Sequence, residues 1–220
     1  MRIMTHVCPA REWYVNDYLV PSLRAQGIDQ IDIWLDTDGR GCLESFAASC
    51  AMLGDRPGGT WHLQDDVIVA DDFAKRAEEN DHGLVCGFCS QSFGPNVDLC
   101  GKVLMVHHWY SFPCIRIPNS YAKEFADWFE KEARHRRKYD SYFYYKNGDD
   151  SLFRDWVIEN KPHDPAINLK PNIVDHVDYL IGGSVVNKHR AVPSRAAFFH
   201  AQNLVDELSN TLATRALNEE

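Results

Sequence analysis

The 220-residue chain has no apolar run approaching the ~20 residues that a membrane-spanning helix needs. Its opening residues, Met1, Arg2, Ile3, Met4, Thr5, His6, Val7 and Cys8, are too short and too interrupted a stretch for a secretory signal. The sequence therefore predicts a cytoplasmic protein without a transmembrane segment. There is no internal repeat and no low-complexity tract, which argues against a solenoid or a disordered chain. The net charge of -9 is spread along the chain instead of gathered in one tail, so a broad binder of phosphate backbones is not expected. A local basic groove would still leave nucleic acid open as a substrate. After the first apolar stretch come Cys8, Pro9, Ala10 and Arg11, which lack the glycines of a phosphate cradle.

Paired metal-binding cysteines are also scarce. The seven cysteines (Cys8, Cys42, Cys50, Cys86, Cys89, Cys100 and Cys114) form an odd set without an export signal, and free thiols are expected. Only Cys86 and Cys89 form a compact pair, with Cys100, His107, His108 and Cys114 as further zinc-ligand candidates. A structural zinc site normally shows two such pairs. In the other reading, Cys86 continues a buried strand as a small hydrophobe.

What the sequence does contain is an alternation of apolar strands and amphipathic helices. Hydrophobic residues make up 45% and charged residues 25%, enough to bury one substantial core. Strands are predicted over residues 2–7, 31–35 and 60–64, and helices over 13–25, 44–53 and 70–79. Pro21 is a potential kink or break in the first helix. Asp71 and Asp72 suit the start of the third, where the helix dipole favours carboxylates. Further strands are predicted over 83–88, 103–109 and 112–117. A helix follows over 120–132, with Asn119 or Ser120 as cap, and another opens at Asp149 and Asp150. The β-α-β-α-β-α order predicts an α/β fold, a mostly parallel central sheet flanked by helices, with ligands at the carboxyl ends of the strands.

The sharpest chemical signal lies at such an end. His62, Leu63 and Gln64 run directly into Asp65 and Asp66. Burying that strand crowds two negative charges, and a hard cation with oxygen ligands would offset their repulsion. Magnesium or manganese there would stabilise a departing diphosphate. The plainer alternative is a solvated acidic pair.

The element Leu63, Gln64, Asp65, Asp66 and Val67 resembles the aspartate motif of GT-A glycosyltransferases, the nucleotide-diphospho-sugar transferase superfamily. Asn147, Gly148, Asp149, Asp150, Ser151, Leu152 and Phe153 resemble the second acidic motif of inverting members. Phe112, Pro113, Cys114, Ile115, Arg116, Ile117 and Pro118, with the helix after them, resemble the acceptor-side strand and helix. Gln64 departs from the pattern, since many relatives carry another acid there.

The resemblance implies a single, Rossmann-like GT-A domain over 1–220. Residues 1–102 would be its nucleotide-sugar half, 103–200 its acceptor half and 201–220 a C-terminal helix. It implies a metal-dependent transferase that uses a nucleoside-diphosphate sugar such as a UDP-sugar, with Mn2+ or Mg2+. Asp66 would be the principal metal ligand, and Asp65 a second ligand or a partner of the ribose. His176 would complete the coordination, or else it is a packed, hydrogen-bonded histidine. Asp150, or failing that Asp149, would be the general base, and Asp149 equally suits a helix cap.

Thr5, Arg11, Asp36 and Asp38 are expected around the nucleotide, although Asp38 with Gly39 also reads as a turn. Lys188, His189, Arg190 and Arg195, beyond Gly182 and Gly183, would close over the diphosphate or form a solvated loop. The basic residues 134–138 and the aromatic-rich residues 139–145 are the candidate acceptor surface, or a helix end and a packing loop. The acceptor is a glycan, a lipid-linked glycan, a protein or a modified nucleic-acid base. The competing functions are a nucleotidyltransferase of related fold and a zinc-binding interaction protein built on Cys86, Cys89 and Cys100.

Overall fold

The computed structural model describes residues 1–54, 56–89, 101–105, 112–132, 149–183, 195–196 and 198–218, with the backbone alone at 103–105, 149–150 and 215–218. The strands are β1 (Ile3–Val7), β2 (Ile31–Leu35), β3 (Gly59–Gln64), β4 (Val67–Val69), β5 (Leu84–Cys86), β6 (Val103–Met105), β7 (Cys114–Pro118), β8 (Pro165–Asn168) and β9 (Val174–His176). The α-helices are α1 (Glu12–Tyr14), α2 (Val20–Ala25), α3 (Cys42–Leu53), α4 (Phe73–Glu79), α5 (Asn119–Lys131), α6 (Asp149–Asn160) and α7 (Gln202–Asn218).

Seven strands form one sheet in the order β2-β1-β3-β7-β5-β8-β6. β1 is parallel to β2 and β3, and β5 is parallel to β8, while β7 is antiparallel to both its neighbours and β6 is antiparallel to β8. Five strands thus share one direction, and the expected α/β class with a mostly parallel, Rossmann-like sheet is observed. Both faces of the sheet are covered, so its inner strands carry apolar side chains on both sides. Ile3, Val7, Trp61, Leu63, Val85 and Cys114 pack on one side with Tyr14, Leu19, Leu23, Phe73 and Leu208. Met4, Leu84, Cys86, Ile115 and Ile117 pack on the other with residues of α3, α5 and α6. Phe46 of α3 is central to that second core, with ring centroids 4.7 Å from Phe112 and 5.5 Å from each of His62, Phe125 and Phe153.

Three local differences from the sequence reading have physical causes. The predicted helix over 13–25 is interrupted by a wide π turn at Val15–Leu19, where the Val20 N–H bonds the Val15 carbonyl. Pro21 follows at once, and a proline has no N–H to continue the normal ladder. Neither Asn119 nor Ser120 caps α5. Pro118 precedes its first turn, and the Asn119 side chain instead accepts from Thr60 Oγ1 at 2.8 Å, joining helix to strand. Finally, β4 and β9 form an unforeseen antiparallel pair beside the main sheet, with Val67 opposite His176. Each is only three residues long, too short for a periodicity signal.

Candidate functional site

Parallel β1 and β3 end side by side, with His6 opposite Gln64, so the segments that follow them meet at the same sheet edge. After β1, Pro9–Arg11 makes one tight helical turn, and Arg11 reaches back to the end of β3. Its Nη1 donates to Asp65 Oδ1 at 2.9 Å and also to Asp66 Oδ2, and its Nη2 donates to the Gly183 carbonyl at 2.8 Å. The Cys8 N–H donates to Asp65 Oδ2 at 2.7 Å. From the other side, β9 delivers His176, whose Nε2 lies 3.0 Å from Asp66 Oδ1. Its Nδ1 lies 3.3 Å from Asp178 Oδ1. Two backbone ties fix this edge: Val177 N–H donates to the Asp66 carbonyl at 2.8 Å, and Tyr14 Oη donates to the Val67 carbonyl at 2.9 Å.

These are buried charges: relative exposure runs from 2% at Asp178 to 7% at Asp65. Burial alone would raise the Asp66 pKa, but His176 and Arg11 outweigh it and hold the carboxyl well below the usual range. Asp65 is pushed up by burial and by its neighbour Asp66, against Arg11 and the Cys8 N–H. Burial likewise works against an imidazolium at His176, yet Asp66 and Asp178 prevail and raise it to about 10. The site therefore sets an imidazolium and a guanidinium against its carboxylates. Arg11 acts against the crowding of Asp65 and Asp66, and His176 stabilises the Asp66 carboxylate, at the place where a cation is expected.

The residues nonetheless fit a divalent cation. Among the described residues, Asp66, His176 and Asp178 are the group of metal-capable side chains whose ligand atoms lie within 4.8 Å of one another. Asp66 Oδ1 is buried without an aligned hydrogen-bond donor, and it stands beside His176 Nε2. Asp178 faces the other ring nitrogen, the position from which a carboxylate orients a metal-ligating histidine. Asp65 is outside this group; Arg11 and the Cys8 N–H engage its two oxygens. Neither Cys86 nor Cys89 belongs to such a group among the described residues. Both are buried, and Cys100, His107 and His108 lie outside the described residues.

The other expected site residues are scattered. Thr5 is fully buried in the middle of β1, not at its end, because the strand continues to Val7. Asp36 directly follows β2, and its carboxylate accepts from the N–H groups of Arg40 and Gly41 at 2.8 and 2.9 Å, shaping the turn into α3. Asp38 is exposed and pairs with Arg40 at 2.7 Å, as a turn residue would. Arg195 bonds the fully buried Asp175, Nε to Oδ2 at 2.6 Å, and Gln202 at 2.7 Å. Asp149 and Asp150 are the first two residues of α6. Lys188, Arg190 and residues 134–145 lie outside the described residues.

Sequence reasoning missed Asp178 and the Asp175–Arg195 pair. The acid two positions beyond His176 was the available signal, but nothing local tied it to Asp66. No helix among the described residues is long and apolar enough to cross a membrane.

No family model matches the chain, and no curated protein matches it. Among solved structures, it is similar to a putative glucose-1-phosphate thymidylyltransferase from Bacillus anthracis, with 8% identity, a TM-score of 0.48, and coverage of 80% of this chain and 89% of that one. It is similar to an active-site mutant of LgtC, with 11% identity, a TM-score of 0.43 and 96% of each chain covered. A nucleoside-diphosphate-sugar pyrophosphorylase from Vibrio cholerae gives 15% identity, a TM-score of 0.42, and coverage of 80% and 76%. At these scores the chemistry of the site rests on this chain's own residues.

Proposed function

We propose that the chain is a metal-dependent glycosyltransferase of the GT-A type, moving a sugar from a nucleoside-diphosphate sugar to an acceptor hydroxyl with inversion. The observation that carries this reading is the buried contact of Asp66 Oδ1 with His176 Nε2 at 3.0 Å, at the carboxyl end of β3. Asp66 and His176 would hold a divalent cation, Mn2+ or Mg2+, whose chemistry there would be charge stabilisation of the departing nucleoside diphosphate.

Asp178 orients the His176 ring, and Asp65 holds Arg11, whose guanidinium suits the donor's diphosphate. Asp36 and Asp38 follow β2, on the side assigned to the nucleotide, and Thr5 would act there only through the β1 segment that carries it. Lys188, Arg190 and Arg195 contribute positive charge against the leaving group. Asp150, with Asp149 as the second choice, takes the acceptor proton. One chain of contacts supports an α6 start near the acid pair. Gln64 N–H donates to the Pro113 carbonyl at 3.0 Å, and the neighbouring Phe112 ring lies 6.1 Å from Phe153, one turn into α6. The acceptor is a glycan, lipid-linked or modified nucleic-acid hydroxyl.

The deciding experiment is a thermal-shift screen of nucleotide-sugars with and without Mn2+, followed by product analysis of the stabilising donor. Metal-dependent stabilisation and release of a nucleoside diphosphate support the reading. Formation of pyrophosphate in its place would make the chain a nucleotidyltransferase. Stoichiometric zinc that survives dialysis, with no donor stabilising the protein, would favour the interaction-protein alternative.

A further inference from the structure

Arg11 is bonded to both members of the acid pair, and that arrangement bears on how the site takes up metal. We infer that Arg11 is a resident counter-ion that competes with the divalent cation: it preforms the site without metal and makes metal alone bind weakly. The inference rests on the metal reading of Asp66 and His176 given above.

The geometry is specific. One guanidinium nitrogen, Nη1, serves Asp65 Oδ1 at 2.9 Å and Asp66 Oδ2 together, and Nη2 reaches the Gly183 carbonyl at 2.8 Å. The side chains of Arg11, Asp65 and Asp66 are only 6%, 9% and 9% exposed, so water screens their attraction little. A guanidinium does not lose its proton in a protein, so Arg11 stays charged at any working pH. It leaves the acids only by moving its side chain. Asp66 presents Oδ2 to Arg11 and Oδ1 to His176, so a cation bound at Oδ1 stands a few ångströms from a fixed positive charge. At the effective dielectric of such a site, that repulsion exceeds the equivalent of a tenfold change in affinity. In exchange, the carboxylates are aligned before any ligand arrives, because Arg11 and the Cys8 N–H together fix Asp65.

The test compares Mn2+ affinity by calorimetry, and melting in EDTA, for the wild-type chain, Arg11→Met and Arg11→Lys. Arg11→Met keeps the stem and removes the charge. It should bind Mn2+ at least tenfold tighter than wild type, melt lower in EDTA, and regain more of its melting temperature on adding Mn2+. Arg11→Lys should stay near wild type. Should Arg11→Met fail to fold, Arg11→Gln, which keeps a donor toward Asp65, carries the same expectation. Magnesium titrated into the wild-type protein should also move the Arg11 guanidinium NMR signal, and an unmoved signal with metal bound overturns the inference. Equal Mn2+ affinity of wild type and Arg11→Met overturns it while leaving the metal reading standing. If neither binds Mn2+ and nucleotide-sugar is still turned over, the inference falls together with metal dependence, and the transferase assignment survives.

Discussion

His176 Nε2 stands 3.0 Å from Asp66 Oδ1, although the two residues lie far apart in the chain. The meeting is produced by the β4–β9 pair, which sets His176 opposite Val67, the residue after Asp66. A site closed this way can be tested one side chain at a time.

Asp66→Asn removes the carboxylate that faces both His176 and Arg11. Loss of several kcal/mol of charge stabilisation on the leaving group corresponds to at least roughly a 100-fold fall in metal-stimulated turnover. The measurement is nucleoside-diphosphate release with and without Mn2+, alongside circular dichroism to verify folding. Unchanged turnover would remove the central support for the proposed activity.

Asp178→Asn acts one step further out. Asp178 is nearly fully buried and approaches His176 Nδ1 at 3.3 Å. Replacing such an orienting carboxylate typically weakens metal binding roughly 10- to 100-fold. Calorimetric titration with Mn2+ checks this, and wild-type affinity in a folded Asp178→Asn protein would show that the contact does not position the ring.

Asp150→Asn should lower sugar transfer by roughly 100-fold or more, the usual contribution of a positioned base. The donor-induced thermal shift should persist. Asp149→Asn, at the first position of the same helix, is expected to leave transfer largely intact. The reverse ranking would exchange the two assignments.

Arg195→Ala strands the carboxylate of fully buried Asp175, which keeps, among the described residues, the N–H donors of His176 and Ala196 at 2.8 and 2.6 Å. Breaking a buried pair costs about 3–5 kcal/mol when the remaining charge has no partner. The retained donors and the partial exposure of Arg195 bring the expected loss to about 2–3 kcal/mol. Urea denaturation measures it, and Asp175→Asn in the Arg195→Ala background should recover part. Full additivity of the two changes would mean that the pair is not coupled.

Buried His62 gives a pH prediction. Burial, with a smaller contribution from nearby His6, lowers its pKa from 6.5 to about 3. Neither ring nitrogen has a hydrogen-bond partner among the described residues. The unfolded chain takes up a proton at this residue as pH falls below 6.5, whereas the folded chain does not until about 3. The stability it contributes is therefore complete above pH 6.5 and is lost through that window, by at most about 1.4 kcal/mol per pH unit. His62→Leu should flatten the acid limb of a stability profile between pH 6 and 4. A limb as steep as wild type would show that other groups dominate acid unfolding.

The legible parts of the molecule were those written locally. The segments at β1 and β3 were readable because a pleated strand with two covered faces leaves a run of apolar side chains, and β2, at the sheet edge, because Ile31, Ile33, Trp34 and Leu35 cluster before a turn. The acid pair at the end of β3 was readable for the same reason, since the strand's direction alone puts its last residues at the ligand edge. β4, β8 and β9 were not readable, because they are short and, unlike β5 and β6, do not sit in longer apolar runs. Arg11 was named as a ligand-binding residue, but its bridge between Asp65 and Asp66 depends on the turn after β1 folding back, which no spacing encodes.

The sequence by itself determined the layered α/β architecture and the placing of two carboxylates at the mouth of its sheet, because burial periodicity and strand polarity are properties of short segments. Only the tertiary structure decided what neutralises those carboxylates. Arg11, His176 and Asp178 come from opposite ends of the chain, and electrostatic pairing depends on distance in space, which the packing of β9 and the turn at Pro9 alone establish.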